Sequence, residues 1–106
     1  MAGKAFLIVH LQVKDMTDYF ERYVTPLMPQ FETYGARVVA AGNAEQVEHL
    51  EGAVAGNWHV VIEFPSLEQA KTWYASAEYG PLKSLRMNEL TEGGSVSILP
   101  EFALPG

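Results

Sequence analysis

The stretch WHVVIEFPSLEQ, residues 58–69, constrains the fold more than any other part of the chain. Its run of β-branched and aromatic residues predicts a strand over Trp58–Phe64, and Pro65 ends that strand because it has no N–H to continue a ladder. Ser66 then opens S-L-E-Q, a capping box in which the Ser66 hydroxyl and the Gln69 side chain satisfy each other's free backbone donors. A strand that runs directly into a capped helix is half of a β–α–β unit, and the rest of the sequence has to supply its partners.

The partners follow in order. AFLIVHLQV, from Ala5 to Val13, alternates Leu7/Val9/Leu11/Val13 with Phe6/Ile8/His10/Gln12, so it reads as a strand with apolar residues on both faces. In KDMTDYFERYVTPLMPQFETYG, Asp15 is the expected N-cap, Tyr19, Phe20, Tyr23, Val24, Leu27, Phe31 and Tyr34 recur at helical spacing, and Gly35 is the stop. Pro26 predicts a kink or break near Thr25. ARVVAAG is a second strand, which QVEHLEG is expected to prolong beyond Gly42-Asn43. Helix two carries Leu67, Ala70, Trp73, Tyr74 and Ala77 as one stripe. After Tyr79-Gly80-Pro81 a short helix through Leu82 and Leu85 is expected, and Gly93-Gly94 lead into a last strand, SVSIL.

The order βαββαβ predicts one α+β domain over residues 1–106: a ferredoxin-like sandwich with a four-stranded antiparallel sheet and both helices on one face. Helices on one face leave the other bare, yet the strands are apolar on both sides. The open sheet face therefore needs a cover, and a second copy of the chain is the simplest one, giving a homodimer.

Composition excludes several functions. A net charge of −6 repels phosphate backbones, and WHVVIEF lacks the basic-aromatic pattern of an RNA-recognition motif, so no nucleic-acid partner is expected. The absence of cysteine removes thiolate chemistry and disulfides, which fits a cytoplasmic protein. AFLIV is too short for a signal-peptide core or a membrane span. His10, His49 and His59 are too scattered to read as metal ligands, no P-loop, Rossmann glycine pattern or nucleophile elbow occurs, and no cofactor is expected.

VVIEFPSLEQAKTWYASAEYGPLKSLR, together with LQVKDMTDYFERY and YGARVVAAG in that order, resembles the family known as domain of unknown function 1330. The resemblance covers most of the chain. It implies the dimeric α/β-barrel superfamily, in which two sheets face one another in a homodimer. Relatives in that superfamily include cofactor-free monooxygenases, haem-degrading enzymes, muconolactone isomerases and chlorite dismutases, too wide a range to select a reaction.

Two constellations are candidates for chemistry. Glu63 lies in a strand in phase with Val61 and His59, and alternation brings His10, Gln12 and Arg37 of other strands to the same face. This set reads either as a paired polar network that fixes dimer register or as a general base, Glu63, His10 or His59, acting on a ligand. The second constellation is aromatic: Tyr19 and Tyr23 on helix one, Trp73, Tyr74 and Tyr79 at helix two. It reads either as core or as the wall of a cleft for a flat ligand between sheet and helices. Arg86 is expected to pair with Glu63 or Glu78, or else to bind an anion; Arg37 and Arg86 complete the ligand-binding candidates. The expected activity is binding of an apolar or aromatic small molecule, as a cofactor-independent monooxygenase- or isomerase-type enzyme or as a non-catalytic dimer.

Overall fold

A computed structural model describes residues 3–103. Strand β1 (Ala5–Val13) leads into α1 (Met16–Tyr19), a π-helical turn (Phe20–Val24) and α2 (Thr25–Tyr34). Strands β2 (Arg37–Asn43) and β3 (Trp58–Phe64) follow, then α3 (Leu67–Tyr74), α4 (Gly80–Leu85), a second π-helical turn (Arg86–Leu90) and β4 (Thr91–Pro100). The sheet is antiparallel in the order β2-β3-β1-β4, the ferredoxin-like arrangement predicted.

Alternation divides the sheet as the sequence requires. Leu7, Val9, Leu11 and Val13 of β1, with Val60, Ile62 and Phe64 of β3, are buried under the helices and form one core with Tyr19, Tyr23, Leu27, Phe31, Trp73 and Tyr79. The opposite face carries Phe6, Ile8, His10, Val61 and Glu63, all half-buried. Leu99 on the same face is 55% exposed. The molecule is only 18 Å deep along its shortest axis, the depth of two layers, so among the described residues no further layer covers this face, and only Gln46 and Val47 border it near His10 and His59.

The helix starts are built by the predicted caps. The Asp15 carboxylate accepts from the Asp18 N–H at 3.0 Å and the Ser66 hydroxyl from the Gln69 N–H at 3.1 Å. Only the Ser66 half of the capping box forms among the described residues. Gly35 ends α2 at φ 72°, and its N–H and that of Ala36 close the last turn.

Four local expectations are corrected. The chain is not broken at Thr25: Phe20–Val24 widens into i→i+5 bonding, the Thr25 N–H bonds Phe20, and Pro26 sits in the first turn of α2, where a missing N–H costs least. QVEHLEG does not prolong β2, because the Asn43 side chain accepts the N–H groups of Glu45 and Gln46, both at 3.0 Å, and turns the chain out of the sheet. Helix α3 stops at Tyr74, so Ala77 lies exposed in a turn rather than on the buried stripe. The last strand begins at Thr91, not Ser95, and Gly93-Gly94 lie inside it at a register shift opposite Leu11/Val13. At Gly94 a Cβ would come within 2.4 Å of the His10 carbonyl oxygen, so only glycine lets the two strands close there.

Candidate functional site

Between the helices and the sheet the core is incomplete. A cavity of about 270 Å³ remains, floored by Leu7, Val9, Val60 and Ile62 of the sheet and walled by Tyr19, Tyr23, Leu27, Trp73 and Tyr79. Phe20, Met28 and Val38, which are 37%, 39% and 43% exposed, also line it, so its mouth opens between the first helix and the edge strand β2.

Polar groups inside this lining are few and specific. The Tyr23 and Tyr79 hydroxyls lie 2.6 Å apart, so one phenol donates to the other and the second keeps its own hydrogen. Burial pushes the pKa values of Tyr19 and Tyr23 well up, so both phenols stay protonated at any physiological pH. Trp73 packs its ring 4.0 Å from that of Tyr79 and donates its indole N–H to Gln30 at 3.0 Å, which fixes the wall. Arg86 lines the same cavity at 6% exposure, and its Nε has no hydrogen-bond partner among the described residues.

The two π-helical turns supply both kinds of polar group: Phe20–Val24 carries Tyr23, and Arg86–Leu90 begins with Arg86. A π turn inserts one extra residue per turn and so re-aims the side chains that follow. The Arg86 carbonyl is held by the Thr91 hydroxyl at 2.8 Å, which ties the turn to the start of β4.

The expected ion pair of Arg86 with Glu63 or Glu78 does not form. Arg86 lies on the helix side of the sheet and Glu63 on the open side, while Glu78 accepts from the Tyr34 hydroxyl at 3.3 Å. Glu63 instead accepts from Arg37 at 3.2 Å and Lys4 at 3.5 Å, and the Arg37 contact holds its carboxyl below the usual range. The His10 and His59 rings meet on the same open face, with their Nδ1 atoms 2.9 Å apart. One of these nitrogens must therefore be unprotonated, and burial, with His10 beside it, pulls the His59 pKa down.

The sequence candidates thus separate onto two faces. Tyr19, Tyr23, Trp73, Tyr79 and Arg86 surround the cavity; Glu63, His10, His59 and Arg37 stand on the far side of the sheet. Sequence reasoning did not find the Tyr23–Tyr79 hydroxyl pair, because 56 residues separate its members and no local spacing links them. It also passed over Trp58 as a wall residue, although Trp58 is in phase with Val60 and Ile62.

The family model for a domain of unknown function, DUF1330, matches residues 4–99. The chain belongs to this family. No protein of curated function matches it by sequence. Among solved structures it is similar to the RPA0582 protein of Rhodopseudomonas palustris, itself of unknown function, at 18% identity and a TM-score of 0.71 over 98% of this chain and 86% of that one. It is also similar to a Caulobacter crescentus protein provisionally assigned as an antibiotic biosynthesis monooxygenase, at 13% identity and a TM-score of 0.68 over 96% and 92% of the two chains. A third neighbour is a dimeric Bacteroides fragilis protein of unknown function and ferredoxin-like fold, at 14% identity and a TM-score of 0.63 over 93% and 97%. At these identities the likeness establishes the fold. Among the described residues no helix is long and apolar enough to cross a membrane.

Proposed function

We propose that this DUF1330 protein is a homodimer whose subunits each bind an apolar or aromatic small molecule in the cavity between sheet and helices, with the cytoplasm as its compartment. The observation that carries this reading is the cavity itself. It is open at one mouth, has about 270 Å³ of internal space and is lined almost wholly by apolar and aromatic side chains. A core with no ligand to hold would be expected to close such a space, because unfilled volume forfeits packing energy.

The dimer reading rests on the bare face with Phe6, Ile8, Val61 and Leu99, and the dimeric Bacteroides fragilis neighbour supports it. Sedimentation is expected to give two copies per particle, with a total buried area above roughly 1,500 Å². A compact monomer at micromolar concentration would refute it.

Catalysis of the cofactor-independent monooxygenase or isomerase type is supported by the fold shared with the Caulobacter crescentus neighbour. A non-catalytic binding dimer is favoured by a different observation. The polar groups lining the cavity are tyrosine hydroxyls and a guanidinium, with no carboxylate or imidazole among them, whereas the proton-accepting candidates Glu63, His10 and His59 lie across the sheet.

Binding of the neutral probe naphthalenemethanol, followed by calorimetry and by crystal soaking, tests the cavity. The expected result is a saturable complex with the ring system between Tyr19 and Trp73; no binding at millimolar probe removes the reading. Oxygen uptake above the uncatalysed rate with dihydroxynaphthalene separates the enzyme from the binder.

A further inference from the structure

Arg86 is the one arginine of the chain whose charge meets no carboxylate among the described residues. Arg22 pairs with Asp18 at 3.2 Å and Glu89 at 3.0 Å, and Arg37 pairs with Glu63 at 3.2 Å, both at the surface, where pairing matters least. Arg86, at 6% exposure, has no ion pair, and its Nε is left without an acceptor. A chain with 13 acidic side chains has carboxylates to spare, yet none is spent on the buried cation. Buried charge is normally compensated, because removing it from water costs far more than a surface contact returns.

What Arg86 does face is the cavity. Its neighbours there are the Tyr23 and Tyr79 hydroxyls, one of which retains a hydrogen to donate, and walls of leucine, valine and aromatic rings. The cavity therefore offers a fixed positive charge and a phenolic donor in a space that is otherwise apolar. A guanidinium is a planar fork suited to a two-oxygen anion, and a charge-assisted hydrogen bond gains strength where water is excluded.

From this geometry we infer that the ligand of the cavity is an apolar or aromatic carboxylic acid, bound as its carboxylate on Arg86 with the hydroxyl pair Tyr23/Tyr79 beside it. This rests on the cavity being a small-molecule site and adds the class of molecule. The anion supplies the charge that the protein withholds, and its apolar body fills the remaining volume. Because a guanidinium does not lose its proton in the accessible range, binding persists from weakly acidic to alkaline pH.

Calorimetric comparison of naphthoate with naphthalenemethanol on the unaltered protein is the test. The two share a ring system and differ in charge. Naphthoate is expected to bind at least about tenfold more tightly, the size of one charge-assisted contact. Arg86→Gln is expected to bring naphthoate down to the affinity of the alcohol, and Arg86→Lys to recover part of the difference, since a point charge replaces the fork. Equal affinities for acid and alcohol on the unaltered protein would overturn the inference while leaving the small-molecule site in place. Binding of neither would overturn both. The comparison of the two probes does not depend on whether the Arg86 variants fold.

Discussion

The two faces of this sheet are made by alternate residues of the same strands, and they treat charge removed from water in opposite ways. On the open face the half-buried charge is answered within the chain, Glu63 pairing with Arg37 and Lys4, and the His10 and His59 rings meet at Nδ1, although the neutral His59 ring keeps its Nε2 without a partner among the described residues. On the covered face the phenols of Tyr23 and Tyr79 are paired with each other, but Arg86 is left with an unsatisfied nitrogen beside an empty volume. A carboxylate paired within the chain needs no counter-ion from outside. A buried cation without an anion is incomplete, and on this contrast rests the proposal that the open face serves assembly and the covered one a ligand.

The comparison breaks first at Trp73, which is 1% exposed and packs against Phe31, Phe64 and Tyr79. Trp73→Ala is expected to lower stability by about 3–5 kcal/mol, read as a shift of the denaturation midpoint at constant slope. A near-neutral result would mean that the ring is not part of the supporting wall.

The open face should respond differently. Ile8→Glu sets a charge at the middle of the bare face, opposite Val61 on one side and Ser97 on the other. The dimer dissociation constant is expected to rise about a hundredfold in sedimentation, with the folded subunit and naphthalenemethanol binding retained. Loss of the fold together with the dimer would show that the open face belongs to the core.

Ser66→Ala touches neither face and calibrates the other two changes. Loss of the cap on the Gln69 N–H is expected to cost about 1 kcal/mol, with dimerisation and probe binding unchanged.

The smallest expected effect is a pH dependence on the open face. The folded chain holds His59 below its ordinary value of 6.5, so the unfolded chain binds the proton more readily. Stability is then fully present above 6.5, falls as the pH drops through that value, and levels off below the lowered folded value. His59→Gln should flatten this limb. The Arg37–Glu63 pair acts in a separate window, because a carboxyl held below 4.5 loses its stabilising contribution only as the pH falls beneath that value. Midpoints measured between pH 7.5 and 5.5, a range chosen to bracket about one unit on either side of the histidine value, isolate the histidine term. A variant that keeps the full limb would remove His59 as its source.

The sequence by itself determined the frame. Two-residue alternation in AFLIVHLQV and WHVVIEF, the caps Asp15 and Ser66, and the stops Gly35 and Pro65 are local signals, set by backbone geometry and by donors within a turn, and each lies where it was expected. They sufficed for the ferredoxin-like order and for assigning Glu63, His10 and Arg37 to one face. Tertiary structure decided whatever depends on which distant groups meet. Whether Pro26 would break a helix or sit in the first turn of α2 behind a π turn, whether QVEHLEG would stay in the sheet, and whether Arg86 would find a carboxylate all turn on packing between elements far apart in the chain. The cavity is the clearest case: alternation assigns Val9 and Val60 to the helix-covered face, but the space above them depends on how the helices seat on the sheet, and no residue spacing encodes a volume.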